Sequence, residues 1–174
     1  MGKLLCIIGL FIALLTQAQK GQQFPDIKGT SLADKAVSIP THNGKYTVIG
    51  IAYNRAAEEE LKKWLNPTYY NFIKKGDANG QFDVAELYDV NFYFIPLISG
   101  FKKAREEFKK GTDKEFHQYI IDAETNIDDV KKQLKITDDK IPYFYILDAN
   151  GKIVEAVSGN YSEVKMEKLE DAIE

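Results

Sequence analysis

The chain has 174 residues, with 23 basic and 26 acidic side chains, a formal net charge of −3, one cysteine and two histidines. A single cysteine excludes an internal disulfide and a multi-thiolate metal centre. Lysines and glutamates are interspersed along the chain, and no basic block marks a nucleic acid partner.

Residues 1–18 carry Lys3, then an apolar stretch over 4–15, then Thr16-Gln17-Ala18. This is the layout of a secretory signal peptide, shorter than a comfortable membrane span. It predicts export to the periplasm or the medium and no integral membrane state after removal. Cys6 lies near the start of the apolar stretch, not at its end, which argues against a lipoprotein signal. Cleavage leaves a cysteine-free chain without thiolate nucleophile, disulfide or Cys-ligated metal. The remainder, about 155 residues, suits one domain resting on its own core. Residues 19–30 read as an N-terminal arm, polar and flexible over 19–25, and 31–174 as the domain.

Residues 37–40 form a short strand candidate, and Asn43-Gly44 marks a turn. Residues 46–53 are almost continuously apolar, as expected of a central strand buried on both faces. The period then changes. Ala57, Leu61, Trp64 and Leu65 fall at helical spacing, with Asn54 as N-cap and glutamates in the first turn. Pro67 is expected to break or restart that helix.

Residues 75–86 bear a partial calcium-loop pattern with Asp77, Asn79, Gly80, Asp83 and Glu86, but Lys75 stands at the first ligand position. A glycine-asparagine turn is the favoured reading. A second buried strand is predicted over 90–97. An amphipathic helix follows with Phe101, Ala104, Arg105 and Phe108 at its apolar spacing. Residues 117–121 read as a short strand, and Ile127, Val130 and Leu134 as a helix capped by Thr125 or Asn126. Residues 141–148 and 152–157 form a hairpin around Asn150-Gly151, and Ser162 caps a last helix with Met166, Leu169 and Ile173 inward. The order β-β-α-β-α-β-α-β-β-α implies an α/β sandwich with a central mixed sheet flanked by helices.

The stretch Ile141-Pro142-Tyr143-Phe144-Tyr145-Ile146-Leu147-Asp148, followed by Ala149-Asn150-Gly151-Lys152-Ile153-Val154, resembles the thioredoxin-like superfamily. Phe24-Pro25-Asp26 and the run into residue 49 resemble its exported redoxin branch. The resemblance implies a thioredoxin-like sandwich over 24–174, with a cis-proline at Pro142 opening a central strand. It places the reactive Cys-x-x-Cys at Arg55-Ala56-Ala57-Glu58, where no thiolate chemistry is possible. Residues 48–53, the helix with Trp64 and the late 141–153 motif are also similar to the mitochondrial ATP-synthase assembly factor family, which is cysteine-poor and thioredoxin-like.

What the resemblance implies is a non-catalytic module that binds a protein or peptide in the cleft beside Pro142. Ile141 would offer backbone groups to an extended segment, and Asn54 and Arg55 would stand at the helix start, Arg55 as a carboxylate partner. The alternative is an enzyme using Glu58, Arg55 or a tyrosine in the same cleft. No catalytic residue, cofactor site or metal site is assigned. His42 and His117 lack ligand spacing, and nucleotide-binding and hydrolase motifs are absent.

Overall fold

The computed structural model describes residues 19–74, 88–98 and 101–173. The expected leader at 1–18 and the calcium-like loop at 75–86 lie outside these residues. Among the described residues no helix is long and apolar enough to cross a membrane.

The elements in chain order are β1 (Ile27–Ser31), β2 (Ala36–Ile39), β3 (Thr47–Ala52), α1 (Arg55–Phe72), β4 (Asn91–Pro96), α2 (Phe101–Lys110), a 3₁₀ turn (Lys114–Phe116), β5 (Ile121–Ala123), α3 (Ile127–Gln133), β6 (Tyr143–Leu147), β7 (Ile153–Ser158) and α4 (Glu163–Glu170). The main sheet has the order β4-β3-β6-β7. β3 runs parallel to β4, with Val48 opposite Phe92, and antiparallel to β6, with Ile49 opposite Tyr145. All six residues of β3 are buried, as its unbroken apolar character requires of a strand covered on both faces. A second sheet, β2-β1-β5, is antiparallel throughout.

Two cores follow from the alternation of side chains across the main sheet. One face packs Val48, Phe94, Phe144 and Ile146 under α1, where Leu61, Trp64 and Phe72 point inward. The other packs Ile49, Ile51, Tyr145 and Leu147 against Val130 and Leu134 of the α3 region and against Phe24 and Ile27. Trp64 stacks on Phe144 with ring centroids 4.1 Å apart and donates its indole N–H to the Gly159 carbonyl at 3.1 Å. Gly50 lies in mid-strand beneath this contact. A Cβ there would stand 2.7 Å from the Phe144 ring and 3.0 Å from Leu61, so glycine lets α1 seat closely.

Four expectations need correction. Pro67 does not interrupt α1, which runs unbroken to Phe72. The buried stripe Leu61, Trp64, Thr68, Tyr69, Phe72 holds the helix to the sheet on both sides of the proline. Residues 19–25 are not a flexible arm. Gly21 N–H donates to Ile153 O, Phe24 N–H to Gly151 O and Ile153 N–H to Gln22 O, laying the segment along the β6–β7 hairpin with Phe24 in the core. His117 is not in a strand. It follows the 3₁₀ turn, with Nε2 3.0 Å from both Lys109 O and Thr112 O, so its ring N–H serves the carbonyls at the end of α2. Finally, the cis peptide bond among the described residues joins Ile39 to Pro40, and Ile141–Pro142 is not cis. Trans is the ordinary state of an X-Pro bond, and Pro142 meets the lack of a donor by standing just before β6.

Candidate functional site

The chain leaves β3 at Ala52 and enters α1 at Arg55, so the helix N-terminus stands at the end of a central strand. Asn54 is the N-cap. Its extended backbone frees the side-chain oxygen to accept from Ala57 N–H at 3.0 Å. Its side-chain N–H₂ donates to Asp139 Oδ1 at 3.0 Å, and Lys131 Nζ holds the other oxygen of Asp139 at 2.6 Å. The loop before β6 is thereby tied to α1 and to α3. Lys131 first, and then Asn54, hold the Asp139 carboxyl below its ordinary range.

The β3–β6 register ends with Ile51 opposite Tyr143. Continued by two residues, it sets Ala52 beside Pro142 and Tyr53 beside Ile141. The four residues singled out in the sequence, Asn54, Arg55, Ile141 and Pro142, therefore converge at one end of the main sheet. Pro142 is buried and its carbonyl accepts from Gly159 N–H at 2.8 Å. Ile141 is half-buried, and no backbone hydrogen bond among the described residues engages it.

Arg55 is largely exposed and pairs with Glu58 one turn on, at 3.1 Å. Glu58 stands at the last position of the Arg55-Ala56-Ala57-Glu58 tetrapeptide and its side chain is only 2% exposed. A buried carboxylate needs paired charge. Arg55 takes one oxygen and Lys62 the other, also at 3.1 Å. The tetrapeptide thus holds an ion pair where the resemblance expects two sulfurs.

An open groove of about 520 Å³ runs beside this helix start, lined by Tyr53, Thr125, Asn126, Asp128, Lys131 and Asp139. Asn126 caps α3 by accepting from Asp128 and Asp129 N–H at 2.9 and 3.2 Å. Below the groove, burial pushes the phenols of Tyr53 and Tyr145 up, so both stay protonated. Lys131 and Asp139 escaped sequence reasoning because Asp138-Asp139-Lys140 reads as a solvated turn. The available signal was a carboxylate three residues before Pro142. Among the described residues, no cluster of three His, Cys, Asp or Glu could hold a metal ion.

The comparisons agree with this geometry. No curated protein matches the chain. Among solved structures, it is similar to the thioredoxin domain of a thiol-disulfide oxidoreductase from Bacteroides vulgatus, at 20% identity and TM-score 0.59 over 89% of this chain and 98% of that one. It is similar to a structure described as a thiol:disulfide interchange protein DsbE from Chlorobium tepidum, at 14% identity and TM-score 0.60 over 89% and 98%. It is also similar to the exposed lipoprotein thioredoxin of Streptococcus pneumoniae, at 14% identity and TM-score 0.52 over 84% and 99%. These likenesses show a thioredoxin-like fold. The ATP10 protein family matches residues 11–174, nearly the whole sequence, and the chain belongs to that family.

Proposed function

We propose that this protein is an exported, non-catalytic member of its family that binds a protein segment in the groove at the start of α1. The observation that carries this reading is the tetrapeptide Arg55-Ala56-Ala57-Glu58. The helix N-terminus that serves thiol chemistry in this fold is fully built, capped by Asn54 and braced by Asp139, but it presents an arginine–glutamate pair. What is left is a positive helix end, an exposed guanidinium and an unengaged peptide at Ile141. An extended segment bearing a carboxylate fits that set, pairing its backbone with Ile141 and its charge with Arg55. The apolar leader and the exposed lipoprotein among the structural neighbours support export. Family membership supports an assembly role, in which a client is held rather than altered.

Site-specific photo-crosslinking in the native envelope tests this. A crosslinker at residue 55 should capture discrete protein adducts. The same group at Lys152, in the exposed turn at the opposite end of β6, should not. Equal adduct patterns from both positions would count against the groove. Catalysed insulin reduction by the processed protein would overturn the non-catalytic reading.

A further inference from the structure

Removal of the leader after Ala18 would make Gln19 the first residue, and the surroundings of Gln19 do not suit a charged terminus. Only 2% of this residue is exposed. Its side-chain N–H₂ donates to Leu134 O at the end of α3, and its Oε1 is buried without a partner. The buried Tyr145 hydroxyl, on the core side, faces the Gln19 and Tyr53 side chains but makes no well-formed hydrogen bond to either. The following glutamines reinforce the docking. Gln22 Nε2 donates to Gln133 O at 2.7 Å and Gln23 Nε2 to Asn150 O at 3.0 Å. Lys20, the next residue, pairs with Glu155 at 2.6 Å. A new α-ammonium would therefore arise on a packed residue, and an unpaired buried charge is strongly disfavoured.

We propose that Gln19 becomes the mature N-terminus and closes to a pyroglutamyl ring, which docks uncharged beside Leu134 and Tyr145. The inference rests on the export reading above. In the reaction the α-amino nitrogen attacks Cδ of the same residue. The Cδ–Nε2 bond breaks, the proton lost by the attacking nitrogen passes to the leaving group, and ammonia departs. No oxidant or second reactant is consumed. The ring must form before docking, while the amide is free of the Leu134 carbonyl. The product keeps one N–H, suited to the Leu134 carbonyl, and one carbonyl oxygen, suited to the Tyr145 hydroxyl, and has no positive charge.

The experiment is mass spectrometry of the N-terminal peptide from full-length protein expressed in an exporting host, with free amines blocked in the cold before digestion. The expected peptide begins at residue 19, is lighter than its unmodified form by one ammonia, and escapes amine labelling. A peptide beginning at residue 19 with a labelled amine overturns the ring and leaves export standing. A peptide beginning at Met1 overturns both. A second measurement compares melting temperatures with Gln19→Asn, which keeps an amide but is one methylene too short for the five-membered ring. The cyclised protein should melt higher, by a margin that shrinks as pH rises from 6 to 9, a range about the ordinary α-amino pKa. The variant should gain stability as its terminal amine loses charge on raising pH. Identical pH profiles for the two proteins would also overturn the proposal.

Discussion

The side-chain N–H₂ of Asn54 and the carboxylate of Asp139 meet at 3.0 Å, joining the first turn of α1 to the loop that leads into β6. One asparagine thus caps a helix with its oxygen and braces a distant loop with its nitrogen. Asn54→Ala removes both bonds. It should cost about 1 kcal/mol from the cap, measurable by urea denaturation. It should also weaken client capture from residue 55. Unchanged stability would show that the cap contributes nothing.

The charge on Asp139 can be isolated by pH. Its carboxyl is held below the ordinary 3.8 by Lys131 and Asn54 in the folded state. A depressed folded pKa gives stability that is present above the unfolded value and lost as pH falls through the folded one. The melting temperatures of wild type and Asp139→Asn should therefore differ by a constant amount above about pH 5 and converge below about pH 4. The pair is partly exposed, so the gap should correspond to about 1 kcal/mol or less. A gap that widens on acidification would refute the assignment.

The helix start should still tune a thiol if one is supplied. Arg55 occupies the first position of an 18-residue helix. A cysteine there feels the unpaired N–H groups of the first turn, which favour thiolate. Glu58 would oppose this, so the informative protein is Arg55→Cys with Glu58→Gln, in a Cys6→Ser background. Its alkylation rate should follow a pKa below the ordinary value of about 8.5. Lys152→Cys, in the exposed turn, supplies the comparison. Coincident pH profiles would mean that the site has lost the electrostatics of its fold.

Much of this architecture was legible because both-face burial leaves a plain trace. The runs over 46–53, 90–97 and 141–148 became β3, β4 and β6, and the change of period after Asn54 marked α1. β1 was not legible. Ile27–Ser31 contains Lys28 and Gly29 and is a strand only because β2 and β5 pair with it on both sides, which is information held at residues far along the chain. The convergence of Asn54 and Arg55 with Ile141 and Pro142 was implied by the resemblance that residues 141–154 carry. The Asp139 brace did not, since an acidic turn carries no mark of the asparagine it will meet.

The β1–β5 pairing gives a sharp test at Gly29. A Cβ there would stand 2.4 Å from the Asp122 carbonyl oxygen and 2.9 Å from Ala123 Cα. Both obstacles are backbone, so no rotamer change relieves them. Gly29→Ala should therefore destabilise by about 1–3 kcal/mol through overpacking, whereas Gly44→Ala meets no atom within 4 Å and is limited to the strain of its positive φ. Greater loss at Gly44 than at Gly29, by chemical denaturation, would place β1 and β5 further apart than described.

Trp64 is the main anchor of α1. Its ring is fully buried, stacked on Phe144 and edge-on to Tyr161 at 5.2 Å, and its N–H closes on Gly159 O. Truncation removes packing from both and leaves a carbonyl short of a donor. Trp64→Ala should cost about 3–5 kcal/mol. Trp64→Phe keeps most of the stack and loses the hydrogen bond, so it should cost about 1–3 kcal/mol. Tyr70 lies on the same helix but is 42% exposed, and Tyr70→Ala should stay within about 0.5 kcal/mol of wild type. Circular dichroism is the readout, because Trp64 is the only tryptophan and its fluorescence disappears with it. A loss at Trp64 no larger than at Tyr70 would mean that α1 is not held to the sheet by this ring, and the groove at its N-terminus would lose its rigid wall.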